Sequence, residues 1–251
     1  MDLQLTDRTA LVTGASQGIG RAIAIGLAAE GVRVAAVARR IELLQTLSDE
    51  ITAKGGIAPA LIDADLYPES APKEIANRAL AALGRVDIII NAAGGSRPLP
   101  IDAPNDAWYE GMTLNFYRLR EITHAVLPSM IKNGYGRVIN ITGTREPRNL
   151  NAAHTAKAAV HVWSKGLSKI VAEHGITVNC IQPGKIRSEQ IDKRWPTEED
   201  RRKYAAAEIP MGRLGEPYEL AALATFLSSP VSGYLTGNII AFDGGIKMFA
   251  F

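Results

Sequence analysis

Short apolar runs alternate with longer stretches of helical period along the whole chain. The runs fall at Thr9–Thr13, Val32–Val37, Ala58–Ile62, Val86–Asn91, Arg137–Thr142, Ile176–Gln182 and Asn238–Phe242. Several are apolar at nearly every position, as in Val86-Asp87-Ile88-Ile89-Ile90, which marks strands covered on both faces. Helical period occupies Gly18–Glu30, Glu42–Lys54, Ala71–Leu83, Ala107–Asn133 and Ala152–His174. This alternation predicts right-handed βαβ crossovers and an α/β fold, a Rossmann-type, doubly wound, seven-stranded parallel sheet with helices on both faces.

No low-complexity linker and no internal repeat divides the chain, so residues 1–251 are expected to form a single domain. The longest segment without strand character is Arg187–Pro210, which is polar and charged and follows directly on a strand end. Two readings of it stay open: a substrate lid, or a solvated helix pair that only connects.

Composition adds limits rather than chemistry. Hydrophobic residues make up 47% and charged residues 22%, enough for a large core. The 28 lysines and arginines against 26 acids leave a net charge of +2, which argues against a nucleic-acid surface. The single cysteine, Cys180, excludes an internal disulfide and lies in an apolar run, as expected of a buried thiol in a reducing compartment. Met1-Asp2-Leu3 offers no basic leader, and no run approaches the roughly 18 apolar residues of a membrane span. The expected location is the cytoplasm, with no membrane partner. The histidine spacing forms no metal-ligand motif.

After the first run comes Thr13-Gly14-Ala15-Ser16-Gln17-Gly18-Ile19-Gly20, leading into a helix. Glycines 14, 18 and 20 allow a tight turn and close approach of backbone to a pyrophosphate resting on the helix N-terminus. A glycine-rich loop alone is weak evidence, but here the required strand before and helix after are both present. Proteins that prefer NAD carry an acid at the end of the second strand, to bond the ribose 2′-hydroxyl. This chain has Ala38-Arg39-Arg40. A guanidinium pairs with a 2′-phosphate that an acid would repel, so Arg39 points to NADP, with NAD as the alternative.

The loop at 13–20 resembles that of the classical short-chain dehydrogenase/reductase family, in particular its 3-oxoacyl-ACP-reductase-like members, and the resemblance runs nearly the whole length. Asp65-Leu66 resembles the adenine-contacting pair after the third strand. Asn91-Ala92-Ala93-Gly94 is similar to the motif after the fourth. Asn115 falls where the family has its tetrad asparagine, and Pro183-Gly184, Ile186 and Ser188 match the segment that holds the nicotinamide amide. Arg213–Pro217, Thr236-Gly237 and Asp243-Gly244-Gly245 match the C-terminal third. The resemblance implies a nicotinamide cofactor, a small-molecule substrate, and a homotetramer or homodimer paired through the helices that follow Asn115 and carry Lys157. Small residues Ala152, Ala153, Ala156, Ala158 and Ala159 suit such an approach, and the apolar tail Lys247–Phe251 suits burial on a neighbour.

The catalytic pattern departs from the family. There, a tyrosine moves the proton, a lysine four residues later lowers its pKa and bonds the nicotinamide ribose, and a serine polarises the carbonyl. Lys157 matches the lysine, but Ala153 stands at the tyrosine position and Gly143 at the serine position. The stretch from Asn140 to Lys157 is shorter than in most members, so Thr142 or Thr144 is a candidate for the serine's place. His154 is the candidate proton carrier. On a helix it lies about 60° to one side of Lys157 and the tyrosine position about 40° to the other, and imidazole titrates near neutrality. The alternative is a histidine that merely caps or packs.

Three functions therefore remain: an NADP-dependent oxidoreductase with a non-standard proton relay, a cofactor-binding sensor or partner subunit without turnover, and a lyase or isomerase using the same pocket. Arg145 and Arg148 are candidates to meet an acidic substrate group, or are plain solvated arginines. Trp195 is a candidate pocket wall, and Trp163 reads as packing.

Overall fold

In the computed structural model, which describes residues 1–143, 147 and 149–248, strand β1 (Thr9–Thr13) is buried at every position. Its side chains alternate between two cores: Ala10 and Val12 face one, Leu11 the other. The pattern repeats in β4 (Ile88–Asn91), where Ile88 and Ile90 point one way and Ile89 the other. That is why these runs are apolar throughout. They form the centre of a parallel sheet that has helices on both faces.

The remaining strands are β2 (Arg33–Ala38), β3 (Ala60–Asp63), β5 (Gly136–Ile141), β6 (Ile176–Pro183) and β7 (Ile239–Phe242). All pairings are parallel, in the order β3-β2-β1-β4-β5-β6-β7. The direction of winding reverses between β1 and β4, so the carboxyl ends of these strands open the crevice where such sheets bind ligands. The expected strands shift by at most two residues at their ends.

Helices α1 (Gly18–Ala29) and α2 (Ile41–Ala53) cover one face. The other carries α3 (Ala71–Leu83), α5 (Arg118–Asn133) and α6 (Ala152–Val171). The single helix expected over 107–133 begins earlier and is interrupted. It opens as α4 (Asn105–Met112), passes through one wide turn at Thr113–Tyr117, and continues as α5. Wide turns of this kind concentrate at functional sites, and Asn115 sits in the middle of this one.

Residues 187–210 hold two short helices, α7 (Glu189–Arg194) and α8 (Glu198–Glu208), with a small core of their own from Ile191, Ala205, Ile209 and Leu214. Trp195 stacks on Tyr204 within it, with ring centroids 4.0 Å apart, so it packs inside this segment. Trp163 packs edge-on against Phe116, as its position on α6 suggested.

The last helix, α9 (Pro217–Leu227), is absent from the sequence-based expectation. It packs beside α1, where a side chain on Gly26 would stand 3.0 Å from the Thr225 hydroxyl. Being apolar almost all round, it shows no amphipathic stripe. Its start was nonetheless encoded: Glu216 and Glu219 form a reciprocal capping box with Pro217 in the first turn.

Candidate active site

The glycine loop is shaped by contacts that no side chain would permit. Gly14 has φ +69°, and a Cβ there would meet Ala93 backbone at 2.9 Å; one on Gly20 would lie 2.3 Å from the Gly14 carbonyl. Thr13 fastens this loop to its neighbour, its hydroxyl donating to the Ile90 carbonyl at 3.3 Å and accepting from Ala93 N–H at 3.2 Å. Ser16 and Ile19 are half-buried, with Ile19 packed on the core. Gln17 caps α1 in extended conformation without bonding its N–H groups, and the first turn holds no acid. The open donors and the close-packed glycines make a cradle that fits a dinucleotide pyrophosphate.

At the end of β2, Arg39 is exposed and has no partner among the described residues. Arg40 differs: its guanidinium donates to the Gln17 side chain and lies 3.8 Å from the Glu189 carboxylate. A clasp thus runs across the crevice from β2 through the glycine loop to α7. Beyond β3, Asp65 accepts from Tyr67 N–H at 3.1 Å, while Leu66 is packed against the core, both on the same edge of the sheet as Arg39.

Asn91 is buried. Its amide donates to Thr123 at 3.0 Å and to Asn140 at 2.8 Å, which fixes the strand end from which Ala92, Ala93 and Gly94 continue into the crevice. Asn140 in turn donates to Ser164 at 2.9 Å, and the buried Cys180 thiol meets the same hydroxyl at 3.3 Å. Asn115 accepts from Gly95 N–H at 3.1 Å and donates to the Gly111 carbonyl at 2.9 Å. A Cβ on Gly94 would lie 2.7 Å from Asn115 Oδ1 and 4.0 Å from Lys157 Cε, so these three residues converge.

Lys157 donates its ammonium to the Thr142 carbonyl at 3.1 Å. Burial pulls it down to about 8, because no counter-charge offsets the loss of hydration. Thr142 and Gly143 point in different directions. Thr142 turns its hydroxyl inward, donating to the Ile181 carbonyl at 3.1 Å and bonding His161 Nε2 at 2.8 Å. It is Gly143 whose side-chain direction faces the cleft, a Cβ there standing 3.4 Å from Lys157 Cδ. The Thr142 hydroxyl is thus already engaged within the chain. Thr144 lies outside the described residues, as do Arg145, Arg148 and the tail residues Phe249 to Phe251.

Helix α6 starts at a cap. Asn151 accepts from Ala153 N–H at 2.9 Å and from Arg97 N–H at 3.0 Å, and donates to Ser96 at 2.8 Å. The backbones of Leu99 and Leu150 are bonded as well, so the loop after β4 is stitched to the shortened loop before α6. Ala153 is buried. The next residue, His154, holds Nδ1 buried with no hydrogen-bond partner among the described residues. Burial first, then the charges of Lys157 and Lys185, lower its pKa and favour the neutral imidazole.

Past β6, Pro183 and Gly184 run beside β7, where a Cβ on Gly184 would touch Asp243 at 2.7 Å. Ile186 is buried in the core, and Ser188 caps α7 by accepting from Ile191 N–H at 3.3 Å. Three features lay beyond sequence reasoning: the His161 contact with Thr142, the Arg40 clasp, and the charge of Lys185 acting on His154. The first two join residues distant in sequence through single polar contacts, which leave no periodic signal. Among the described residues no group of three His, Cys, Asp or Glu side chains is placed to hold a metal, and no helix is long and apolar enough to cross a membrane.

Comparison with known proteins agrees with this arrangement. A family model described as enoyl-(acyl carrier protein) reductase matches residues 14–247. The 3-oxoacyl-(acyl-carrier-protein) reductase of Escherichia coli (strain K12) is 35% identical, over 96% of this chain and 98% of its own. A solved 7α-hydroxysteroid dehydrogenase, complexed with NADH and 7-oxo glycochenodeoxycholic acid, is 33% identical with a TM-score of 0.90, covering 97% of this chain and 96% of that one. The L-sorbose reductase of Gluconobacter frateurii, complexed with NADPH and L-sorbose, is 26% identical with a TM-score of 0.93, covering 99% and 100%.

Proposed function

Because the chain belongs to the short-chain dehydrogenase/reductase family, we propose that it is an NADP-dependent oxidoreductase interconverting a carbonyl and an alcohol, with His154 as its proton carrier. The bound dinucleotide supplies or accepts the hydride. In this reading Gly14, Ser16, Gln17, Gly18, Ile19 and Gly20 hold the pyrophosphate against α1, Arg39 pairs with the 2′-phosphate, and Asp65 and Leu66 flank the adenine. The edge Asn91-Ala92-Ala93-Gly94 and Lys157 support the nicotinamide ribose. Pro183, Gly184, Ile186 and Ser188 hold the amide. Asn115 positions Lys157, and residues 187–210 close over the cleft.

The observation that carries the relay is the buried Nδ1 of His154, which has no partner among the described residues and lies one residue beyond the alanine that replaces the tyrosine and one turn before Lys157. A buried ring nitrogen without a partner is costly, and an approaching substrate hydroxyl would satisfy it. The lowered pKa keeps the imidazole neutral and ready to accept a proton. The test is NADPH oxidation over a panel of ketones, diketones and ketoacids by wild type and His154→Ala. Turnover that collapses in the variant supports the relay, and turnover that persists removes it.

The bare side chains of Gly143 and Ala153 favour one rival, dinucleotide binding without turnover, for which tight NADPH binding with no oxidation across the panel would speak. Assembly through α5 and α6 is part of the same proposal. Val162 and Ile170 expose apolar surface along α6, and Tyr117 does so on the turn leading into α5. The alanines are divided: Ala152, Ala153 and Ala156 are buried within the chain itself, Ala152 against Gly111, leaving Ala158 and Ala159 to meet a neighbour. Light scattering on the eluting protein distinguishes a dimer or tetramer from a monomer.

A further inference from the structure

No serine hydroxyl stands at Gly143, and that of Thr142 is taken up by Ile181 and His161. Another hydroxyl is held beside the same residues. Ser96 comes two residues after Gly94, whose side-chain direction meets Asn115 and Lys157. It comes one residue after Gly95, whose N–H bonds Asn115 at 3.1 Å. From the other side it is bonded by Asn151, the cap of the helix that carries Ala153, His154 and Lys157. Ser96 is thus bracketed by the elements that surround the vacant tyrosine position, and it is exposed.

The bonds around Asn151 fix which way this hydroxyl points. Asn151 is 3% exposed, and its Oδ1 accepts from two backbone N–H groups, Arg97 at 3.0 Å and Ala153 at 2.9 Å. An amide nitrogen in that place would face two donors, so the nitrogen is the end turned to Ser96. The 2.8 Å bond is therefore donated by Asn151 to the Ser96 oxygen. The hydroxyl keeps its own hydrogen, and among the described residues it donates to no acceptor. An oxygen that accepts a hydrogen bond makes its O–H a stronger donor. The backbone here is held as well: the Ser96 carbonyl accepts from Arg97 Nη1 at 2.9 Å, and Arg97 Nε bonds Glu110 at 2.8 Å.

Resting on the oxidoreductase reading above, we infer that Ser96 polarises the substrate carbonyl, with Asn151 as its positioning residue. The hydroxyl donates a hydrogen bond to the carbonyl oxygen as negative charge gathers there, and it keeps its proton throughout. Hydride still passes to or from the carbonyl carbon, and the proton passes between the substrate oxygen and His154. No further reactant enters. A donor fixed in advance acts where charge develops and needs no rearrangement at that moment. The loop before α6 supplies the geometry by bringing Asn151 against the loop after β4. There the Leu99 N–H bonds the Leu150 carbonyl at 3.1 Å, and the Ala152 N–H bonds the Arg97 carbonyl at 3.0 Å.

The test compares wild type, Ser96→Val and Ser96→Thr with whichever ketone of the panel turns over fastest. Ser96→Val is expected to lower kcat at least about tenfold and to leave NADPH binding within about twofold. Ser96→Thr, which keeps the hydroxyl, is expected to retain most of the rate. Asn151→Asp preserves both backbone bonds through a carboxylate, has no N–H to give, and draws the Ser96 hydrogen onto itself. It is expected to lower kcat by a similar factor with KM little changed, and to add no further loss to Ser96→Val. Full turnover by Ser96→Val, or equal losses in Ser96→Val and Ser96→Thr, overturns the inference. If Ser96→Val does not fold, full turnover by Asn151→Asp overturns it in the same way. Wild type that oxidises no NADPH with any member of the panel removes the oxidoreductase reading, and the hydroxyl is then read without turnover. Carbonyl-labelled cyclohexanone is added to protein saturated with oxidised NADP, which cannot reduce it, and its stretch is followed by infrared difference spectroscopy. A shift to lower frequency in wild type that is lost in Asn151→Asp keeps the contact, and no shift in wild type overturns it.

Discussion

His161 Nε2 lies 2.8 Å from the hydroxyl of Thr142, whose carbonyl holds the Lys157 ammonium at 3.1 Å one helical turn away. The imidazole thus braces the strand end that positions the lysine, from inside the core. His161→Leu removes that brace while the Thr142 hydroxyl keeps its bond to Ile181. It is expected to cost about 1–2 kcal/mol in urea unfolding, and His161→Gln, which retains a polar end, to cost less.

Restoring the missing side chains tests whether the rest of the site is intact. Gly143→Ser places its Cβ at ordinary contact distance from Lys157, and Ala153→Tyr sets a phenol four residues ahead of that lysine. A positioned proton donor typically contributes about 10²–10⁴-fold, so the double variant is expected to raise kcat for a neutral ketone at least about tenfold.

Lys157 makes stability depend on pH in a direction that can be read. Its folded pKa of about 8 lies below the ordinary lysine value of 10.5, so between these values the unfolded chain binds more protons than the folded one. The penalty for burying the ammonium is fully present below about pH 8 and disappears as the pH rises toward 10.5. Cofactor-free wild type should therefore gain Tm relative to Lys157→Met over that interval. A constant difference between the two melting curves would refute the assignment.

Arg39→Glu replaces an exposed cation with the acid that suits a free ribose hydroxyl. It is expected to weaken NADPH binding by about tenfold to a hundredfold, or about 1.4–2.8 kcal/mol, and to leave NADH binding equal or improved. Fluorescence titration of both dinucleotides decides this.

The sheet was legible because its strands are buried on both faces and so read as unbroken apolar runs, and the glycine loop because its spacing reflects contacts as close as that of Gly20 with Gly14. Helix α9 was illegible for a related reason. A segment apolar on nearly all sides has no period, and only its capping box marked a beginning. At the site, Asn115, Lys157 and Gly143 were picked out by resemblance, and a side chain on Gly94 would meet both Asn115 and Lys157. The orientation of Thr142 did not follow, because a β-strand end can turn either of two successive side chains to the cleft. What decides it is a histidine nineteen residues away.

The clasp from Arg40 through Gln17 to Glu189 ties α7 to the glycine loop. On the other side Arg187 ties the same short helix's approach to Glu198 at 3.3 Å and Glu216 at 3.0 Å. These charges are half-exposed, within reach of dissolved ions, whereas the Lys157 ammonium is not. Added electrolyte screens such surface pairs over about 10 Å at 0.1 M, so ionic strength is expected to loosen this tie while leaving the Lys157 ammonium alone. With residues 187–210 closing over the cleft as proposed, a bound dinucleotide is expected to leave faster as salt rises, which stopped-flow release of NADPH at two ionic strengths would read.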